Sequence, residues 1–323
     1  MTDRRSFVPG LLAGLTLCLG LAGTAAAQGF PSKPIRLIVP FPAGSAPDAI
    51  ARAVGQHMQG TLGQPIIIDN KPGANGMIAA QETMRSAPDG YTIFGGNNTT
   101  LAAIGGLYKK PGYDPKDFAP IGLLVRSSLM LVVRPDYPAN NMKEFLARAR
   151  SAANPLTVGY ASAGMQVSIG EMEGLGKIRL QGVPYKGVPQ AVADVLGGQI
   201  DFTFSDMTVG LGQVRGGKMK GLGLTQASRS PLIPEMPAIG EDIPGFNVGV
   251  WSGLAAPPGT PRDVVDKLWA AAQKAVNDPA TFIQLQAAGQ EKALMDPDTF
   301  KAYIVSETAR WTQQIKAAGI EPE

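Results

Sequence analysis

Residues 38–55 read IVPFPAGSAPDAIARAVG, an apolar run that enters a Pro- and Gly-rich turn and leaves it as an amphipathic segment, with one carboxylate, Asp48, at the turn's end. A carboxylate in that place can complete the first turn of the following helix, an effect worth about 0.5–1 kcal/mol. It can equally reach a ligand's ammonium group or fix a water. Asp206, just past the apolar run 200–204, has the same two readings. Four further turns carry small or hydroxylated residues: KPGANGM at 71–77, GGNNTT at 95–100, YASAGMQ at 160–166 and PYKGVPQ at 184–190. Small side chains let an anion approach the backbone, and a helix N-terminus presents about half a positive charge to it. Ser45, Asn97, Thr99 and Ser162 add hydroxyl or amide groups, and Lys186, next to Tyr185, is either solvated or turned to an anion. The chemistry these types favour is capture of a carboxylate without a buried cation.

Catalytic groups are scarce. His57 is the only histidine and rides the amphipathic segment after Pro47, where a partly exposed helix position is its simplest role. Cys18 is the only cysteine and lies in the N-terminal apolar run. Nucleophile–histidine arrangements, disulfides and Cys- or His-built metal sites are thereby excluded for the rest of the chain. Glycine-rich dinucleotide fingerprints, phosphate loops, nucleophile elbows and zinc spacings are missing. The EMEG run at 171–174 places two carboxylates at i and i+2, which face different ways on a helix and make no working pair. Neither an enzyme nor a cofactor is expected.

The elements that must hold these turns follow from periodicity. Apolar runs at 35–39, 66–68, 91–95, 129–133, 157–160, 181–183, 200–204 and 221–225 alternate with helix-period segments at 47–61, 77–86, 142–151, 188–196 and 207–215. That alternation predicts an α/β fold with a parallel sheet covered on both faces. From Pro261 onward the chain turns mainly helical, at 261–277, 279–288 and 296–317, each segment opening with Pro or Asp. Two stretches, SSLMLVVRP at 127–135 and GVWSGLAAPPGTP at 249–261, look like crossings between two lobes, 28–127 with 251–323 and 128–250. In open α/β sheets the ligand crevice lies beyond the carboxyl ends of the strands, and a double crossing makes a hinge beside it.

At the N-terminus, Arg4 and Arg5 precede an uncharged apolar run that closes on Ala25, Ala26 and Ala27, the pattern of an export signal cleaved after Ala27. Glycines 10, 14, 20 and 23 and the lack of a positive stop argue against a membrane anchor. The DRRSF opening fits either a twin-arginine or an ordinary secretory signal, and both lead to the periplasm. Leu17 ahead of Cys18 is not the small residue a lipoprotein signal wants. Net charge is +3 over the full chain, and +2 once Asp3, Arg4 and Arg5 are removed. Lys and Arg are scattered without interleaved aromatics, so nucleic acid is not an expected partner.

The ordered combination of FPSKPIRLIVPFPAGSAPD at 30–48, KPGANG at 71–76, APDGYT at 87–92, YDPKDFAPIGLL at 113–124, YASAG at 160–164, VPYKG at 183–187, VLGGQIDFTF at 195–204 and AAPPGTP at 255–261 resembles the substrate-binding receptors of tripartite tricarboxylate transporters, also called Bug receptors. The resemblance covers essentially the whole chain after the signal. It implies a two-lobed periplasmic binding protein, a type II-like Venus flytrap, that captures a small organic acid between its lobes and delivers it to a membrane transporter. It further implies that the first loop, Phe41 to Asp48 with Ala43, Gly44 and Ser45 in it, and the loop Ser162, Ala163, Gly164 grip a carboxylate by backbone amides, hydroxyls and waters. Asn97, Thr99, Tyr185 and Asp206 are the candidates for reading the ligand's far end. Two departures fall in the grip. Ser45, Ala46 and Pro47 stand where the family usually has glycines and a Thr, and the stretch after Gly164 is about four residues short and lacks a His.

The resulting expectation is a monomeric, cofactor-free receptor for a dicarboxylate, aromatic acid or amino acid, with transporter subunits as partners. The alternative role is a ligand-sensing partner of a membrane sensor kinase on the same fold.

Overall fold

The computed structural model describes residues 29–323, so the expected export signal lies outside it. The chain runs β1 (Ile35–Val39), α1 (Ala46–Leu62), β2 (Ile66–Asn70), α2 (Met77–Met84), β3 (Thr92–Asn97), α3 (Ile104–Leu107) and β4 (Ala119–Val133). It continues through α4 (Met142–Ser151), β5 (Leu156–Tyr160), α5 (Ala163–Gly176), β6 (Leu180–Pro184), α6 (Val188–Leu196), β7 (Phe202–Asp206), α7 (Met207–Arg215), β8 (Lys220–Leu224) and α8 (Ile239–Asp242). It closes with β9 (Gly249–Ala256), α9 (Arg262–Asn277), α10 (Pro279–Ala287), β10 (Glu291–Met295) and α11 (Pro297–Ala317).

Local chemistry accounts for most of these elements. β1 is IRLIV and buried at nearly every position, as a strand covered on both faces must be. α1 opens with Pro47 in its first turn, where a missing N–H costs nothing, and ends at Gly63 in the left-handed region, whose N–H donates to the Gln59 carbonyl. The predicted helices at 142–151, 188–196 and 207–215 stand at those bounds.

The sheet is mixed rather than wholly parallel. β1 pairs in parallel with β2 and β3, and β5 with β6 and β7. Both sets are then joined by antiparallel strands. β9 lies between β3 and β4, and β4 is a single 15-residue strand. Residues up to Ser128 on β4 pair with β9, while Leu129–Val133 pair with β7 and β8. Of the two stretches read as crossings, the first belongs to β4, which is shared between the two half-sheets, and the second opens with β9, which joins β3 to β4. Thr225 staples them: its hydroxyl accepts the Leu129 N–H at 2.9 Å and donates to the Val248 carbonyl at 2.8 Å. The sequence reading did not include β10 inside the helical C-terminus, α5 after Ser162 or the one-turn helices α3 and α8, and it took β9 for a crossing.

α1 and α9 bury their apolar stripes together on one face of the first half-sheet, Ile50, Val54 and Met58 meeting the layer of Leu268 and Ala272. α11 covers the opposite face and reaches α5 of the second half. The close approach of β4 and β9 needs glycine, because a Cβ at Gly253 would lie 2.6 Å from the Gly122 carbonyl oxygen.

Candidate functional site

The carboxyl ends of the strands from both halves converge on one narrow cavity of about 60 Å³. That is room for about four to six waters, or a small acid in their place. Of the residues expected to bind, Phe41, Ser45, Asn97, Thr99, Ser162 and Asp206 line it. The loops 41–48 and 162–164, 114 or more residues apart in sequence, therefore border one hollow.

Other expected residues stand elsewhere. Asp48 is buried behind the wall and ties its own loop, accepting from the Gly44 N–H at 3.0 Å, from Asn70 Nδ2 at 3.0 Å and from Arg52. Burial works to raise its carboxyl, but Arg52, the Gly44 amide and Asn70 together hold it below the usual range. Of its two readings, the helix-and-loop role is the one built. Ala43 and Gly44 are absent from the wall, as are Ala163 and Gly164, although the Ala163 N–H donates to Thr99 Oγ1 at 3.2 Å. Tyr185 turns away: its hydroxyl donates to Asp194 at 2.6 Å on α6 and does not reach the cavity. It is withdrawn as a reader of the ligand because α6 offers its phenol a nearer acceptor.

Three of the first loop's amides, those of Gly44, Ser45 and Ala46, are already engaged. Ser45 N–H donates to the Pro42 carbonyl, and Ala46 N–H donates across the cavity to Asp206 Oδ2 at 3.2 Å. Asp206 is also the N-cap of α7, with Oδ1 accepting the Val209 N–H at 2.9 Å. Burial pushes its carboxyl up to about 6, and the amides of Val209, Ala46 and Thr208 only partly offset that. It thus serves two helix N-termini from opposite halves. α5 is left differently: Ser162 occupies its N-cap without a side-chain cap bond, so its first-turn amides lack a carboxylate.

Sequence reasoning missed several wall residues. Asn98 is 2 % exposed; its Oδ1 accepts the Trp251 N–H at 3.4 Å and its Nδ2 has no hydrogen-bond partner. Ser127, Ser128 and Gln290 come from the crossing strand and the loop before β10, and Trp251 from β9. Asn98 sits inside the quoted GGNNTT turn and could have been found by counting it with Asn97. The others carried no local signal. Behind Trp251, its indole N–H donates to Glu307 Oε2 at 2.6 Å, and Trp311 and Arg310 bond the same carboxylate. Among the described residues no Lys, Arg or His lines the cavity, and no group of His, Cys, Asp and Glu is placed to hold a metal. No helix among them is long and apolar enough to cross a membrane.

Residues 50–320 match a family model described as the tripartite tricarboxylate transporter family receptor. Three solved structures share the fold throughout. The periplasmic binding protein BugD is 33 % identical with a TM-score of 0.87, over 91 % of this chain and 100 % of its own. MatC from Rhodopseudomonas palustris with bound malate is 32 % identical with a TM-score of 0.81, over 88 % and 100 %. Rpa4515 of R. palustris with adipate is 28 % identical with a TM-score of 0.88, over 91 % and 100 %.

Proposed function

The chain belongs to the tripartite tricarboxylate transporter receptor family, periplasmic solute-binding proteins rather than enzymes, and on that premise we propose that it captures a small organic carboxylate in the cavity between its halves and delivers it to a membrane transporter. The observation that carries this reading is the start of α5 at Ser162, without a side-chain cap, at a cleft whose wall includes hydroxyl and amide side chains. An anion there is stabilised by the helix N-terminus without a buried cation. Thr99, Asn97 and Ser162 supply the side-chain bonds, while Phe41 and Ser45 close the wall from the first loop.

The capture is a hinge motion. The exchange of strand partners at Ser128/Leu129 and at Val248/Gly249 supports two lobes, divided within two residues of the expected boundaries. The contacts Ala46–Asp206 and Ala163–Thr99 join the lobes and would part when they open. Malate bound to MatC and adipate bound to Rpa4515 set the scale of ligand that this fold accepts. The test is a thermal-shift and calorimetric panel of small carboxylates. A ligand at a hundred times its Kd stabilises the closed protein by about 2.7 kcal/mol, a readily measured rise in Tm. A panel in which no acid shifts Tm or releases heat would sink the reading.

A further inference from the structure

We propose that the cavity takes a single carboxylate, so that the ligand is a monocarboxylate with an apolar, uncharged body and not a dicarboxylate. This deepens the carboxylate-capture reading and rests on it.

Helices α1, α5 and α7 all start at the cavity, and among the described residues α5 is the one of the three whose first turn no carboxylate serves. Asp206 caps α7 through Oδ1 and takes the Ala46 N–H of α1 through Oδ2. Of the other groups there, Gly44 and Ser45 donate to Asp48 and to the Pro42 carbonyl, Pro47 has no N–H, and Asp48 does not line the cavity. α6 also begins at the wall with Val188, but Pro189 removes an N–H from its first turn, and Pro42 packs so close that a Cβ at Gly187 would lie 2.5 Å from its ring. The start of α5 is the remaining place: Thr99 Oγ1 takes its Ala163 N–H but no carboxylate serves the turn, and a second donor stands by in Asn98, buried at the wall with an Nδ2 that has no partner among the described residues. The hydroxyls of Ser128, Ser162 and Ser252 make no hydrogen bond among the described residues.

A second carboxylate would meet no cation, since among the described residues no Lys, Arg or His lines the cavity. It would instead share a partly desolvated cleft with the buried Asp206 carboxylate, where like charges repel more than in water. The rest of the wall is apolar, formed by Ile50, Met165, Val188, Met207, Val250 and the Trp251 ring. Asp206 does not call for a ligand cation, because backbone amides already engage both of its oxygens. A hydrocarbon body therefore fits the wall better than a charged end.

Trp251 lies in the wall and reports occupancy through its fluorescence. The experiment titrates the whole exported protein, by fluorescence and calorimetry at pH 7.5, with matched pairs: hexanoate against adipate, benzoate against terephthalate, and hexanoate against aminohexanoate. Each monoacid is expected to bind at least about tenfold tighter than its diacid or zwitterionic partner. In Asp206→Asn, which keeps an N-cap side chain, the monoacid–diacid ratio is expected to shrink severalfold. Diacids binding as tightly as monoacids, or aminohexanoate binding tighter than hexanoate, would overturn the single-carboxylate inference while leaving carboxylate capture standing. Silence from every acid would overturn both. A ratio unchanged in a folded Asp206→Asn protein would remove the role given to that charge.

Discussion

Asp206 makes the folding stability of this protein depend on pH in a direction opposite to that of most carboxylates. Its side chain is buried, and desolvation lifts it from 3.8 to about 6. That distance corresponds to about 3 kcal/mol of preference for the neutral form in the native state. Below pH 3.8 the group is protonated whether the chain is folded or not, and it imposes no penalty. Between 3.8 and 6 the unfolded chain gives up its proton while the native chain keeps one, so stability falls as pH rises. Above 6 both are ionised and the native state bears the full cost. Asp206→Asn removes the titration yet retains a capping side chain for α7. Urea unfolding of both proteins at pH 4 and pH 7.5 should show the variant gaining on the parent by about 2–3 kcal/mol between the two conditions. Bonds altered equally at both pH values cancel in that comparison. A gain below about 0.5 kcal/mol, or one that favours Asp at neutral pH, would mean that the Val209 and Ala46 amides compensate the burial fully and that the site is not dry.

Ser162→Asp places a fixed carboxylate at the start of α5, and calorimetry should record a loss of affinity above tenfold, about 1.4 kcal/mol, for any acid that binds the parent; unchanged affinity would displace the ligand from that helix. Thr225→Val keeps the side chain's shape but removes its bonds to Leu129 and Val248, and chemical denaturation should show a loss of about 1–3 kcal/mol as a buried N–H goes unpaired. Glu307→Ala strips the acceptor from Trp251, Trp311 and Arg310. It should cost about 3–5 kcal/mol and change the Trp fluorescence, whereas a spectrum like the parent's would show that the indoles find other partners. Gly253→Ala drives a Cβ into the Gly122 carbonyl and the Phe300 ring, and the melting temperature should drop by several degrees, consistent with about 1–3 kcal/mol of overpacking.

The local elements were legible because local chemistry makes them. Repeating apolar residues, a proline in a first turn and a glycine after a last turn act within about a dozen residues, and α1, α4, α6, α7 and β1 follow from them. The poverty of His and Cys and the gathering of small residues at strand exits were equally visible, and Ser45, Asn97, Thr99, Ser162 and Asp206 do reach one cavity. Periodicity could not show that β4 runs unbroken through both half-sheets, because a continuous apolar strand reads alike whether it has one set of partners or two. Nor could a turn's composition say who takes its hydrogen bonds. Asp48 binds its own loop, Tyr185 bonds Asp194, and Asp206 meets an amide 160 residues away. The sequence alone determined which groups stand at the ends of strands and helices, since those groups depend on neighbours in the chain. Which amides remain free for a ligand was decided only by tertiary structure, because each hydrogen-bonding group is claimed by whichever partner the folded chain brings within about 3 Å.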